Sequence, residues 1–331
     1  MKGLITICLA LCACGGRPSK PRVRIADLGP TVQMHFLPIT AAEALGYYKD
    51  EGLEVTLEKL PSTVKTLEAL LGGSADVAAV GYLQSIQMAA QGQRIRTFFI
   101  GTNRVNFVLV VPAGTHRKIG HIEDLAGSLI GVPSSGGPTH QWVNYYLIRH
   151  GLNPADTRPV GIGDGPTAVA ALESGRVDVG ALTGGTHIRY LRGHPEARVL
   201  LDGSSPDSMR ELFGGDLFAG GTLTARQEWL ERNPEITRRL CRALQRALHW
   251  IATHSPEEIR KLLPEASRSA DEASDLEIIR WGRAGLTPDG RMPHGAPEAM
   301  KRFLDATSEQ VRGAKIDLAA TWTNEFLEAA K

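Results

Sequence analysis

Apolar and polar positions alternate along the chain in an order that is written twice. Val23–Ala26 and Leu129–Val132 are short apolar runs of strand type, each followed by a loop rich in Gly, Pro, Ser or Thr. Each loop leads into a helical pattern, near Ala41–Tyr48 and Thr139–His150, that stops at a Gly-Leu pair, Gly52-Leu53 or Gly151-Leu152. Strands Glu54–Leu60 and Thr157–Ile162 follow. The stretch Ala69–Val80 then aligns with Ala171–Leu182 at a constant offset of 102, and six of the twelve positions are identical. Each copy reads as a helix ending at a glycine, a turn holding Asp76 or Asp178, and an apolar strand buried on both faces.

This β-α-β-α-β order predicts parallel sheets with helices on both faces and right-handed crossovers. Two copies predict two lobes. Phe98–Gly101 and Phe107–Val111 read as strands leaving the first lobe, with Pro112-Ala113-Gly114 as the crossing; Asp216–Leu223 brings the chain back. The remainder is helical in pattern: Pro234–Thr253, with Ile236, Leu240, Leu244, Leu248 and Ile251 on one face, then Pro256–Leu263, Ser274–Gly282, Pro297–Val311 and Ala319–Ala330. The expected division is 22–112 with 217–331 as lobe 1 and 113–216 as lobe 2. Two chain crossings make a hinge.

The first residues depart from this pattern. Lys2, an apolar run from Leu4 to Cys12 and small residues thereafter form a secretory leader over 1–13, too short to span a bilayer. Leu11-Cys12-Ala13-Cys14 resembles a lipobox, so Cys14 is the expected lipidation site and 14–21 a flexible tether to the membrane. Three of the four cysteines, Cys8, Cys12 and Cys14, lie in this leader or directly after it. Cys241 stands apart among helically spaced leucines, which predicts a buried thiol and no intramolecular disulfide. Without the leader, basic and acidic residues are equal in number at 36 each, and no basic block offers a footprint for nucleic acid.

In open parallel sheets, ligands bind beyond the carboxyl ends of the strands. That rule selects His35–Thr40, Pro61–Thr63 and Gly81-Tyr82 in the first lobe, and Pro133–His140, Gly163–Thr167 and Thr183–His187 in the second. Pro133–His140 combines small residues, backbone amides and hydroxyls at a helix start, an arrangement that suits an anion. Enzyme signatures are poorly represented. Gly161-Ile162-Gly163-Asp164-Gly165-Pro166 places proline where a dinucleotide fingerprint needs its last glycine, and there is no Walker A, G-x-S-x-G or H-E-x-x-H sequence. His116 with His121, or His249 with His254, are poorly spaced for shared metal ligation. No catalytic residue, metal or cofactor is expected.

Pro38–Val55, with its Leu45-Gly46-Tyr47-Tyr48-Lys49 centre, resembles the opening block of the periplasmic solute-binding proteins of nitrate-, sulfonate- and taurine-type ABC transporters, including thiamine-precursor relatives. Gly73–Ala78, Phe107–Pro112, Ile122–Gly127 leading to Ile130-Gly131-Val132, Gly137-Pro138-Thr139-His140 and Trp229–Glu235 are similar to later blocks of that family, in order. The resemblance implies a type II periplasmic-binding fold: two α/β lobes, a two-segment hinge and one small ligand in the cleft. It implies a monomer tethered outside the cytoplasm by its lipid, which delivers the ligand to an ABC permease and its ATPase. Carried over residue by residue, the pocket draws on Phe36, Ser62, Tyr82, Ser135, Gly137, Thr139 and His140, with Asn103 and Thr183 as further members. Pro138 departs from the family's usual Ser or Thr, and Thr183–His187 replaces its acidic or aromatic stretch. The expected ligand is a small anion (sulfonate, nitrate or carboxylate). The alternatives are a neutral aromatic heterocycle stacked on Phe36 and Tyr82, or an enzyme or sensor on the same fold.

Overall fold

The structure, a computed structural model, describes residues 20–29, 33–214 and 218–328. The leader and Cys14 lie outside the described residues.

The chain opens with β1 (Arg22–Leu28), α1 (Leu37–Ala44), α2 (Tyr47–Asp50), β2 (Glu54–Leu60), α3 (Thr63–Gly72), β3 (Val77–Gly81), α4 (Tyr82–Ala90) and β4 (Ile95–Ile100). A second series follows: β5 (Phe107–Val111), β6 (Leu129–Val132), α5 (Pro138–Arg149), β7 (Arg158–Gly161), α6 (Pro166–Glu173), β8 (Val179–Thr183), α7 (Thr186–Gly193), β9 (Arg198–Asp202) and α8 (Pro206–Phe213). The chain then returns as β10 (Gly221–Arg226), α9 (Gln227–Arg232), α10 (Pro234–Thr253), α11 (Pro256–Leu262), α12 (Glu272–Arg283) and α13 (Ala296–Thr307).

Two five-stranded sheets result, with orders β2-β1-β3-β10-β4 and β7-β6-β8-β5-β9. They share one plan. The three parallel strands at one side come from the repeat, and β3 and β8 begin at Val77 and Val179, 102 residues apart. The repeated aspartate has a structural reason. Asp76 accepts the backbone N–H of Arg24 at 2.9 Å while its own amide bonds the Arg24 carbonyl. Asp178 does the same with Leu129, at 2.8 Å and 2.9 Å. Each carboxylate thus completes the ladder where a parallel strand pair begins, one charge-assisted bond worth about 1.5–3 kcal/mol.

Four expectations are corrected. The sheets are mixed rather than parallel, because the fourth strand of each, β10 or β5, runs antiparallel to both neighbours. Phe107–Val111 belongs to the second sheet, so the crossing is the segment 101–106 and not Pro112-Ala113-Gly114. Ala319–Ala330 is no helix over its described part. Leu318–Thr321 is one 3-10 turn, Trp322 pairs with Thr97 beside β4, and Arg96 donates to the Trp322 carbonyl at 3.0 Å. The predicted Ala41–Tyr48 helix also divides at Gly46, whose φ of 74° starts a separate turn.

The long helix α10 follows its sequence pattern: Leu240, Cys241, Leu244, Leu248 and Ile251 are buried against the first sheet's helices. Burial pushes the Cys241 thiol pKa up, so it stays a protonated packing group. Arg242 holds Glu51 at 2.8 Å and Arg246 lies over the Tyr47 ring at 4.1 Å, which fixes α10 on α2. Between the lobes, α13 packs on both α4 and α5, and Phe303 stacks on Trp142 with centroids 3.7 Å apart. On the other side α7 meets α12. No helix among the described residues is long and apolar enough to cross a membrane.

Candidate ligand cleft

The parallel strands of each sheet end at one place. Beyond β1, β2 and β3 lie Gly29, Pro61–Thr63 and Gly81; beyond β6, β7 and β8 lie Pro133-Ser134, Asp164–Pro166 and Thr183-Gly184. All of these border a single cleft of about 860 Å³, within the few-hundred to about 1,000 Å³ of ordinary ligand sites. The starts of α3, α5, α6 and α7 reach the same space, and aligned helix N-termini favour negative charge there. A third wall comes from the crossing segment, with Thr102, Arg104 and Asn106, and from Leu263–Ser269 beside α12.

The charged groups differ in how they are engaged. Arg104 has no hydrogen-bonding or ion-pair partner among the described residues. Arg268 is exposed at the rim. Arg189 of α7 is bound to Asp275 of α12 at 2.9 Å. Asp275 is buried, with 3% of its side chain exposed, and also takes Arg260 at 3.0 Å and both the hydroxyl and amide of Ser269 at 2.7 and 2.8 Å. Burial pushes its pKa up, but these bonds outweigh it and hold the carboxyl below the ordinary aspartate range. Asp164 accepts the Thr183 hydroxyl at 2.5 Å. The described lining therefore carries three guanidiniums against two carboxylates that already have partners.

His35 lies on the first-lobe wall beside Phe36, ring centroids 4.3 Å apart. The pair rests on Gly221, where a Cβ would come within 2.8 Å of the His35 carbonyl and 3.1 Å of the Phe36 ring. Burial lowers the His35 pKa to about 4, so the ring is neutral near pH 7. Its Nδ1 lies 3.0 Å from Asn106 Nδ2. His187, in the first turn of α7, is also neutral, its pKa lowered to about 4 by burial, with its ring edge-on to Trp281 at 5.0 Å.

Of the residues the sequence selected, Phe36, Ser62, Thr139 and Thr183 border the cleft. Ser62 spends its hydroxyl on capping α3 through the Lys65 amide. Tyr82 does not reach the cleft: it is fully buried and its hydroxyl meets Thr321 Oγ1 at 2.6 Å, which removes it as a stacking platform. Asn103 lies in the crossing but outside the cleft lining: its backbone N–H donates to the Gly285 carbonyl, and its buried Oδ1 has no hydrogen-bond partner among the described residues. Ser135 is exposed, away from the lining. Gly137 and His140 serve the loop itself, since Gly137 N–H bonds the Ser134 carbonyl and His140 Nδ1 accepts the Gly136 N–H at 2.9 Å. The sequence reading missed Arg104, Asn106, Gln84, Trp142 and Arg268 as lining residues. Arg104 and Asn106 had a signal: they occupy the true crossing between the sheets.

Two mixed sheets of matching order, facing each other across one cleft, define a two-lobed periplasmic-binding-protein fold. The chain belongs to the NMT1/THI5-like family, which it matches over residues 33–259. A protein of Bordetella bronchiseptica RB50 of known structure is 33% identical, with a TM-score of 0.82 over 93% of this chain and 96% of its own. The riboflavin-binding protein RibY of Chloroflexus aurantiacus is 23% identical over 308 residues, 90% of this chain and 83% of that protein. The alkanesulfonate-binding protein SsuA of Xanthomonas axonopodis pv. citri, bound to MOPS, superposes with a TM-score of 0.68 at 18% identity, covering 93% of this chain and 99% of its own.

Proposed function

We propose that the protein is the solute-binding component of an ABC importer, and that its cleft takes a small organic anion: an acidic oxygen group on an apolar body. The observation that carries this reading is Arg104, a guanidinium on the cleft wall without a partner among the described residues. A buried or half-buried cation without a counter-charge is costly, and an anionic ligand supplies one. Phe36, Phe107, Trp142 and Phe218 on the walls favour an apolar body for the ligand. Contacts from both lobes favour the closed form; moving from 1:99 to 99:1 closed takes about 5.5 kcal/mol of preference. Two to four charge-assisted hydrogen bonds at about 1.5–3 kcal/mol each cover that range. Closure presents the loaded protein to a permease.

The test is a thermal-shift panel on the chain without its leader, using alkanesulfonates, aryl carboxylates, nitrate and riboflavin. A ligand at 100 times its Kd adds about 2.7 kcal/mol of stability, so the organic anions are expected to raise Tm by several degrees. A shift with riboflavin and none with any anion sinks the reading. It would instead support a neutral heterocycle, the second reading, which the aromatic walls and the similarity to RibY favour.

The same proposal places the protein outside the cytoplasmic membrane, tethered through Cys14 by acyl chains that supply more than the two signals stable anchoring needs. Cys14→Ala is expected to move the protein from the membrane fraction to the soluble extracytoplasmic fraction and to abolish palmitate labelling. Unchanged labelling excludes Cys14 as the anchor.

A further inference from the structure

The hinge holds a relay of three hydrogen-bonding groups that ends on the cleft. The Gly184 backbone N–H, which can only donate, points at Asn106 Oδ1 from 3.2 Å. That contact fixes the orientation of the Asn106 amide, because a flipped amide would set two donors face to face. Asn106 Nδ2 is thereby turned to His35 Nδ1 at 3.0 Å, and it too can only donate. His35 Nδ1 is left as the acceptor, so a neutral His35 ring carries its proton on Nε2. Nε2 has no partner among the described residues, and His35 borders the cleft.

We propose that Asn106 is a positioning residue that locks His35 in the Nε2–H tautomer, so that His35 offers an uncharged hydrogen-bond donor to an acceptor oxygen of the ligand. This rests on the reading of the cleft as the site of an oxygen-bearing ligand. Specificity then has two parts. Arg104 answers the ligand's charge, while His35 answers the position of one oxygen and does so without adding a further positive charge.

The surroundings keep the ring neutral. The turn holding His35 packs on α1, α12 and β10. The charged groups of those elements face other partners. Glu43 of α1 sits by Lys59 and Asp27. On α12, Asp275 and Glu272 engage Arg260, Glu277 engages Arg192, Arg280 engages Glu257, and Arg283 donates to the His254 carbonyl. Arg226 of β10 donates to the carbonyls of Leu70 and Ala75. Arg104, Arg189 and Arg268 share the cleft with the ring, and of these Arg189 is held by Asp275.

The test is Asn106→Asp. This isosteric change keeps an acceptor for Gly184 N–H but turns an acceptor on His35 Nδ1, which must then carry the proton. In the ligand-free protein, imidazole ¹⁵N shifts are expected to show Nε2–H in the wild type from pH 5.5 to 8, and Nδ1–H at pH 8 in N106D. With 1-hexanesulfonate as probe, wild-type affinity is expected to be flat over that range. N106D is expected to lose about tenfold at pH 8, the worth of one hydrogen bond, and to recover as pH falls and Nε2 regains its proton. A merely structural role gives an equal loss at every pH and overturns the proposal, as does an Nδ1–H ring in the wild type. Asn106→Ala, which frees the ring to populate both tautomers, decides the same point if N106D does not fold. Failure of the wild type to bind any organic anion sinks the ligand reading instead, while the ring measurement still decides the tautomer.

Discussion

Asp275→Ala is expected to lower the unfolding free energy by about 3 kcal/mol, at the low end of the loss when one partner of a buried ion pair is removed. The carboxylate is nearly inaccessible and gathers Arg189 from α7, Arg260 from α11 and two donors of Ser269. Alanine leaves the half-buried Arg260 guanidinium and the Ser269 donors without their acceptor. Arg189 is 43% exposed and regains water, which keeps the figure from the upper end. The sign of the pH dependence follows from the depressed pKa of Asp275. The wild-type contribution is fully present above the ordinary aspartate pKa near 4 and is lost as pH falls through the lower folded value. Urea denaturation at pH 7 and at pH 3 checks both parts: the gap between wild type and variant should narrow on acidification. A constant gap removes the ionised carboxylate as the cause.

Arg104→Gln is expected to leave stability within about 0.5 kcal/mol, since the side chain has no protein partner to lose. Affinity for an organic anion should fall about 10- to 100-fold, the equivalent of one charge-assisted hydrogen bond. Titration calorimetry with an alkanesulfonate and with riboflavin separates charge from packing. An equal loss for both ligands assigns Arg104 a packing role, through a stem that lies against Gly285. The two substitutions are thus opposites in their expected effect: Arg104→Gln is expected to change affinity and spare the frame, and Asp275→Ala to weaken the frame.

The frame was largely legible in the sequence where local pattern and tertiary role agree. Pro234–Thr253 is a helix over the predicted span, because its apolar stripe matches the 3.6 period and Pro234 marks its start. The offset-102 repeat located β3 and β8, and with them two of the strand ends that border the cleft. Strand direction was not legible. Phe107–Val111 is buried at every position, and such a run carries no sign of which neighbours it joins or which way it runs. That single uncertainty displaced the crossing to Pro112 and hid Arg104 and Asn106. The Ala319–Ala330 stretch has helical composition, but Trp322 and Thr323 find backbone partners at Thr97. Tertiary pairing there overrides local propensity.

The site was legible as a set of strand ends but not as a set of side chains. The carboxyl-end rule found the loops holding Phe36, Ser62, Thr139 and Thr183. Tyr82 stands first in α4, and nothing local tells whether such a side chain faces the cleft or the far end of the chain, where Thr321 waits. Leu263–Ser269 and Asp275 enter from a distant part of the sequence, with no motif to announce them.

The late return of β10 to the first sheet also sets an order of assembly. The second sheet is built from 107–202 alone, so every strand it needs is present in one continuous stretch. The first sheet is interrupted: β10, at 221–226, inserts between β3 and β4. As the chain emerges from N to C, the amino-terminal strands must wait, with the facing edges of β3 and β4 unpaired, until the later lobe has passed. Unpaired strand edges are templates for association with other chains. The lobe synthesised first is therefore the last to close, and the interval before residue 226 emerges is when a newly made copy is most exposed to its neighbours.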